Sequence, residues 1–262
     1  MPRDKYVWNT QDYCAGITAE LKQYRLPGMS QMDFARTWEQ IDEMILTSDD
    51  LGIHLNDHSP LIDALNEAKI KDIADQQERA AAVCRLVMKN VKWNGKYELS
   101  PGPAAETLNK RSGSNADINL LLIQTLHDAG LEAAPVMLRE RTKGLMPYNF
   151  PSIRKMTTYV VGIMLNNSTN VFVDASSEGG YLNVLPEQLL VERARFVSKK
   201  KVNPWVNLQK VVRSQANTTI DATLGTDGTL SGTQTTIHRG LSALHYRQQA
   251  GKTDEFSPEA NS

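Results

Sequence analysis

The chain has 262 residues, of which 40% are hydrophobic and 23% charged, and its formal net charge is −1 at pH 7. This near-neutral balance gives no basis for nucleic-acid binding, which depends on a basic surface. No apolar run approaches the roughly 20 residues that cross a bilayer, so we expect no transmembrane segment. The first residues also lack the apolar core of a signal peptide, so the chain itself gives no localisation signal.

The N-terminal half predicts helices that follow an extended, polar start. A first helix is expected to begin at Ser30, its cap, with Phe34, Trp38, Ile41 and Ile45 on one face. Ser59-Pro60 is a second helix-start signal, because proline at the first helical position loses no hydrogen bond.

The middle of the chain holds the clearest helical pattern. An apolar stripe with a period of about 3.6 predicts a helix through residues 80–91, and a short helix is expected over 104–108. A turn at 112–115 leads into the most apolar helix, which Gly130 should end.

Beyond Gly130 the hydrophobic period changes to two. Strands are predicted over 133–139, 157–165 and 170–174, and residues 186–196 return to a helical pattern. Near the end, a turn at 226–228 indicates a hairpin of 216–224 and 229–239. Helices that precede an antiparallel sheet predict an α+β fold.

One ordered series of motifs has chemical meaning. It is Gly113-Ser114-Asn115-Ala116-Asp117 at the start of the apolar helix, a strand centred on Thr158-Tyr159-Val160-Val161, and then Phe172-Val173-Asp174-Ala175. The series resembles the bacterial transglutaminase-like family of the papain-like thiol-enzyme superfamily, especially members found between two β-rich domains in large cell-envelope proteins. The resemblance covers about residues 75–195. It implies a papain-like core in which N-terminal helices pack on an antiparallel sheet, with β-rich flanking segments.

The resemblance also implies a division of the chain. Residues 1–30 are expected to form the C-terminal edge of a β-rich domain, 31–200 the transglutaminase-like domain, and 201–262 the start of a C-terminal β-rich domain. A lone extended segment and a lone hairpin bury little surface, so the rest of these neighbouring β-domains should belong to a larger parent chain. A periplasmic or cell-envelope location follows from the resemblance alone.

Papain-type chemistry needs a cysteine at a helix N-terminus, a histidine from the facing sheet and an acidic or amide side chain that orients the imidazole. By the resemblance, Asn115 stands at the cysteine position and Tyr159 at the histidine position, and only Asp174 keeps the family's residue type. A carboxamide is not a thiolate-like nucleophile, and a phenol with a pKa of about 10 is a poor base at neutral pH. We therefore expect a catalytically inactive binding or scaffolding module.

Structural roles are expected for these three residues. Asn115 should cap its helix, Tyr159 should place its hydroxyl on Asn115 or Asp174, and Asp174 should accept hydrogen bonds from backbone or hydroxyl donors. A residual cleft between helix and sheet would hold a peptide or peptidoglycan-type ligand. Its expected contacts are Trp93, Tyr97 and Asp117.

The alternative is an active thiol protease, amidase or transglutaminase-type acyl transferase with another nucleophile. Cys84 lies within an apolar helical stripe, where cysteines are usually inert core residues. Cys14 lies in a polar segment without an identifiable base.

A zinc site is the other alternative, because His54 and His58 are four residues apart with Asp57 between them. Gly52 and Pro60 bracket this stretch, which argues against the helix that would align the two imidazoles. A solvated loop is the preferred interpretation, so neither a metal nor another cofactor is expected.

Overall fold

The computed structural model describes residues 7–15, 17, 21, 23–28, 32–33, 37–166, 169–199, 204–211 and 214–250. The α-helices in these ranges are α1 (Trp38–Leu46), α2 (Ile62–Glu67), α3 (Gln76–Asn90), α4 (Ala104–Lys110), α5 (Asn115–Asp128) and α6 (Leu241–Ala250). The strands are β1 (Gln23–Tyr24), β2 (Met32–Asp33), β3 (Lys92–Trp93), β4 (Ser112–Gly113), β5 (Glu132–Leu138), β6 (Thr158–Met164), β7 (Asn170–Val173), β8 (Ala194–Phe196), β9 (Trp205–Val206), β10 (Ser214–Leu224) and β11 (Leu230–Gly240).

The central sheet has the strand order β7-β6-β5-β8-β9, and every neighbouring pair is antiparallel. Helix α5 packs on one face of β5 and β6. Because side chains alternate along a strand, Met137, Tyr159 and Val161 face the core that contains α5, whereas Leu138 and Val160 belong to a second core. The α+β fold, with helices packed on an antiparallel sheet, is therefore confirmed.

The predicted middle helices and strands are present with small shifts at their ends. Helices α3, α4 and α5 and strands β5, β6 and β7 correspond to the expected segments. Gly130 follows α5 with a φ of 74°, a left-handed conformation in which glycine avoids the Cβ clash of other residues. These elements carry the candidate site.

The start of the first helix was predicted too early. Asp33 lies in β2, and α1 begins at Trp38 with Thr37 as its cap. Thr37 and Gln40 form a reciprocal capping box, in which the side chain of each residue accepts a hydrogen bond from the backbone amide of the other. This box fixes the start of the helix. Ser30 and Phe34 lie outside the described residues.

The prediction of a helix over 186–196 was also wrong. The segment forms a single 3₁₀ turn, Glu187–Leu189, and then strand β8. Strand β8 pairs with Val136 and Met137 of β5, so it extends the central sheet. The apolar residues of this segment, among them Leu189, Leu190 and Phe196, are buried in the second core. Pairing with the sheet therefore outweighs the local helical spacing.

The C-terminal hairpin is present as β10 and β11, paired from Ser214–Gly240 to Leu224–Leu230. Nearly all of its side chains are exposed on both faces. Helix α6, which the sequence pattern did not predict, follows directly and packs back against the hairpin. The division of the chain at residues 30 and 200 stays a prediction. Among the described residues, none of the helices combines the length and apolar character of a membrane span.

Candidate functional site

The N-terminus of α5 is capped by Ser114 and not by Asn115, as the sequence had suggested. The Ser114 backbone is extended (φ −65°, ψ 170°), and its hydroxyl accepts a hydrogen bond from the Asp117 amide at 3.2 Å. The Asp117 carboxylate accepts in return from the Ser114 amide at 2.7 Å. This capping box makes Asn115 the first helical residue, so its side chain is available for contacts with the sheet.

Asn115 is fully buried, and each of its polar groups has a partner. Its amide donates to the Lys96 carbonyl at 3.1 Å, and its Oδ1 accepts from the Glu98 amide at 2.9 Å. Its Nδ2 donates to the Thr158 hydroxyl and, at 3.1 Å, to the Tyr159 carbonyl. The residue therefore joins segment 96–98, helix α5 and strand β6 without an exposed reactive atom.

Asn119 lies one helical turn further along α5 and has a comparable role. Its Nδ2 donates to the Tyr159 carbonyl at 3.0 Å and to Asp174 Oδ1 at 3.1 Å, and its Oδ1 accepts from the Ala175 amide at 3.0 Å. Asp174 is thus connected to Asn115 through Asn119 and the Tyr159 carbonyl. Sequence reasoning missed Asn119, although a polar residue four positions after Asn115 on a buried helix was an available signal.

Asp174 is buried and accepts hydrogen bonds from backbone and hydroxyl donors. Besides Asn119, the amide and hydroxyl of Ser176 donate to its Oδ1 at 3.1 and 2.7 Å. Its Oδ2 is buried and has no hydrogen-bond partner among the described residues. Burial raises the pKa of this carboxyl group above its ordinary value, although the hydrogen bonds from Ser176 and Asn119 act in the opposite direction.

The Tyr159 hydroxyl does not hydrogen-bond to Asn115 or Asp174, as the sequence had suggested it would. The Tyr159 ring lies in the core on the α5 side of the sheet, and its hydroxyl donates to the Ala116 carbonyl at 2.6 Å. Burial raises the pKa of this phenol well above its usual range. The side chain that meets the Asn115 amide is that of the preceding residue, Thr158, the first residue of β6.

A cavity of about 370 Å³ lies beside this buried cluster. Trp93 and Tyr97 form part of its wall, with ring centroids 5.0 Å apart. Tyr97 lies in the sequence between Lys96 and Glu98, whose backbone groups hydrogen-bond to Asn115. Its hydroxyl accepts a hydrogen bond from Gln188 Nε2 at 2.9 Å. Burial and the nearby Asp174 carboxyl group raise the pKa of Tyr97. Residues of α6 close the opposite side: Leu244, His245 and Gln248.

Asp117 is not part of this cavity. Apart from its contacts with Ser114, its Oδ1 accepts from the Gly102 amide at 2.6 Å. The carboxylate therefore fixes the loop before α4 to the N-terminus of α5. Of the three residues expected to contact a ligand, the structure brings Trp93 and Tyr97 together and places Asp117 elsewhere.

Neither cysteine lies near the cluster. Cys84 is buried within α3, and burial raises the pKa of its thiol to about 12, so the thiolate form is strongly disfavoured. Cys14 is exposed, and its Sγ donates to the Thr10 carbonyl at 3.4 Å.

The two histidines considered for zinc have separate carboxylate partners. His54 Nδ1 is 2.6 Å from Asp57 Oδ2, and His58 Nδ1 is 2.7 Å from Asp128 Oδ1. Only Gly52–His54 of this stretch adopts a short 3₁₀ turn, so no helix aligns the two rings. Across the described ranges, no group of three or more His, Cys, Asp or Glu side chains is arranged to bind a metal ion.

No protein-family model and no curated protein matches the sequence. Two solved structures show a distant likeness. A "putative protease" from Parabacteroides distasonis matches 63% of this chain and 30% of its own, with 14% identity and a TM-score of 0.41. A "putative cysteine protease" from Cytophaga hutchinsonii matches 82% of this chain and 60% of its own, with 12% identity and a TM-score of 0.36. At these values the two matches establish neither the family nor the activity.

Proposed function

We propose that the chain contains a degenerate transglutaminase-like domain of the papain-like superfamily, which binds a peptide or peptidoglycan-type ligand without cleaving or transferring it. The observation that carries this proposal is Asn115, fully buried and fully hydrogen-bonded at the first turn of α5. In an active thiol enzyme that position presents a thiolate to the substrate.

The chemistry is lost at two positions. Asn115 supplies an amide in place of a nucleophile, and the side chain that faces it is the hydroxyl of Thr158, which is no base at neutral pH. We therefore infer that Thr158, and not Tyr159, occupies the position of the base. Loss of a nucleophile alone reduces turnover by several orders of magnitude, so loss of both groups leaves no efficient route to acyl transfer.

The aromatic cavity is the proposed ligand site. Trp93 is partly exposed and its ring packs against that of Tyr97. Tyr97 directly precedes Glu98, whose amide donates to Asn115. A concave surface that combines aromatic side chains with polar groups is the usual form of a binding site, and here the polar lining includes Glu187, Gln188 and His245. The same module is proposed to act within a larger cell-envelope protein, with neighbouring β-domains as its partners.

Binding can be measured by calorimetric titration of the protein with N-acetylated pentapeptides and, separately, with soluble muropeptides. Tyr97→Ala should weaken binding by about tenfold, because the ligand loses one aromatic contact. Phe150→Ala, at a strongly exposed aromatic outside this cavity, is the matched control and should bind like the unmodified protein. Circular dichroism checks that both variants are folded.

Two results would contradict the proposal. One is turnover of an amide substrate that survives Asn115→Ala, since this would show an active centre elsewhere. The other is equal binding by the Tyr97 and Phe150 variants, since the ligand would then bind outside the aromatic cavity.

A further inference from the structure

A second cavity, of about 180 Å³, lies between the N-terminal segment and the loop after β5. Two contacts hold its walls together. Asn9 Nδ2 donates to the Thr142 carbonyl at 3.3 Å, and Asp12 Oδ1 accepts from the Leu145 amide at 3.0 Å. The cavity differs from the aromatic one in its charge, because three arginines line it: Arg139, Arg141 and Arg193.

Two of the three guanidinium groups contact aromatic rings. Arg141 lies over the ring of Trp8, 4.4 Å from its centroid. Arg193 lies 5.7 Å from the ring centroid of Tyr148, and its Nη1 donates to the Met146 carbonyl at 3.4 Å. Within the ranges that the structure describes, none of the three arginines forms an ion pair.

Arg139 differs from the other two in having a buried guanidinium nitrogen. Its Nε is buried and lacks a hydrogen-bond acceptor among the described residues. A buried charged donor without an acceptor is costly, so such a group in a cavity indicates an absent acceptor. Two carboxylates, Asp12 and Glu192, also line the cavity, so the three arginines exceed the carboxylates by one positive charge.

We propose that this cavity binds an anionic group, a carboxylate or a phosphate. The planar fork of a guanidinium pairs with the oxygens of either anion through two parallel hydrogen bonds. Arg139 directly follows β5, whose last residue pairs with Thr158, so the anion site lies at the same end of the sheet as the Asn115 cluster. The anion site stands whether or not a peptide binds in the aromatic cavity, and its test is separate.

The test is a titration with inorganic phosphate and, in a second arm, with acetate, at constant ionic strength, followed by the NMR signals of the arginine Nε–H groups. Both anions should shift the Arg139 signal in a saturable manner. Stronger binding of phosphate would identify a phosphate-bearing ligand, and stronger binding of acetate a carboxylate-bearing one. Arg139→Gln, followed through the signals of Arg141 and Arg193, should weaken binding by about tenfold, the effect of losing a charge-assisted hydrogen-bonding group.

Arg154→Gln, which removes an exposed arginine outside the cavity, is the matched control and should bind both anions like the unmodified protein. If Arg139→Gln does not fold, Arg141→Gln provides the same comparison. The proposal is overturned if shifts are absent, or if they are unsaturable and equal in the pocket and control variants, because surface screening alone would then explain them.

Discussion

Two buried polar clusters join helices to the central sheet, and they differ in how completely their charges are matched. At α1, Arg195 of β8 forms two hydrogen bonds of 2.6 Å with Asp42 and lies about midway between Trp38 and Trp205, at 5.3 and 5.1 Å from their ring centroids. At α5, Asn115 and Asn119 hydrogen-bond to the Tyr159 carbonyl of β6, and Asn119 also bonds to Asp174, which follows β7. In the part of the chain that the structure describes, Asp174 forms no ion pair and its Oδ2 has no hydrogen-bond partner.

This difference separates a structural cluster from a candidate site. A buried ion pair is tolerated only with good geometry and additional contacts. The Arg195 cluster has both, in its two hydrogen bonds to Asp42 and its contacts with two tryptophan rings. The α5 cluster keeps an unmatched carboxylate oxygen at the position where, by the resemblance, an imidazole would be oriented. The proposed function depends on the incomplete α5 cluster, and the following experiments test the contrast between the two clusters.

Removal of Arg195 should have the largest effect. Arg195→Met leaves Asp42 partly buried without its cation, and we expect the free energy of unfolding to fall by about 4 kcal/mol. Urea denaturation measures the change. The double variant Arg195→Met with Asp42→Leu should lose less than the single one, because no unpaired charge remains.

The control for the ion pair is Lys110→Gln, which breaks an exposed pair with Glu106 and should leave the melting temperature unchanged. If Arg195→Met were as stable as this control, the Arg195 cluster would not be the anchor of α1.

Asn119→Ala should have the next largest effect. It leaves the Ala175 amide buried without its acceptor and removes one donor from Asp174 and one of the two side-chain donors to the Tyr159 carbonyl, so the free energy of unfolding should fall by about 3 kcal/mol. The matched control is Asn217→Ala in the exposed hairpin, where a change within about 0.5 kcal/mol is expected. Similar losses in the two variants would show that Asn119 does not join α5 to the sheet.

Asp174→Asn should have the smallest effect at neutral pH and a distinctive pH dependence. Because burial raises the pKa of Asp174 above its unfolded value of 3.8, the folded protein holds this proton more tightly than the unfolded chain. The contribution of this group to stability therefore increases as the pH falls through the folded pKa, and it is lost as the pH rises through it. The variant should match or exceed the unmodified protein at pH 7 and lack this increase towards acidic pH.

The measurement is the melting temperature as a function of pH. Asp227, in the hairpin turn, provides the opposite case, because the hydroxyl of Thr229 lowers its pKa and its contribution is lost as the pH falls. As the pH falls, the melting temperature of Asp174→Asn should therefore decrease relative to that of the unmodified protein, whereas that of Asp227→Asn should increase relative to it. Parallel pH profiles for the Asp174 variant and the unmodified protein would contradict a raised pKa.

The sequence predicted the elements of the site better than its contacts. The apolar helix and the strands that follow it were readable from periodicity, because burial on one face imposes a fixed spacing of apolar residues. Asp174 was singled out by the resemblance. The cap was misassigned to Asn115, since Ser114 and Asn115 are both good capping residues and only the backbone dihedrals distinguish them. Asn119 was missed because an apolar period gives no information about the partner of a polar residue.

By itself, the sequence determined an α+β chain with a buried helix packed on an antiparallel sheet, and it excluded a cysteine at the start of that helix. Only the tertiary structure decided that Thr158 meets Asn115, that the Tyr159 hydroxyl bonds to Ala116, and that Arg139 lacks an acceptor. The physical reason is that the hydrogen bonds of Asn115 and Tyr159 join residues 43 positions apart in the chain. Hydrophobic patterning fixes which face of an element is buried, whereas the partner of each polar atom depends on residues distant in the chain.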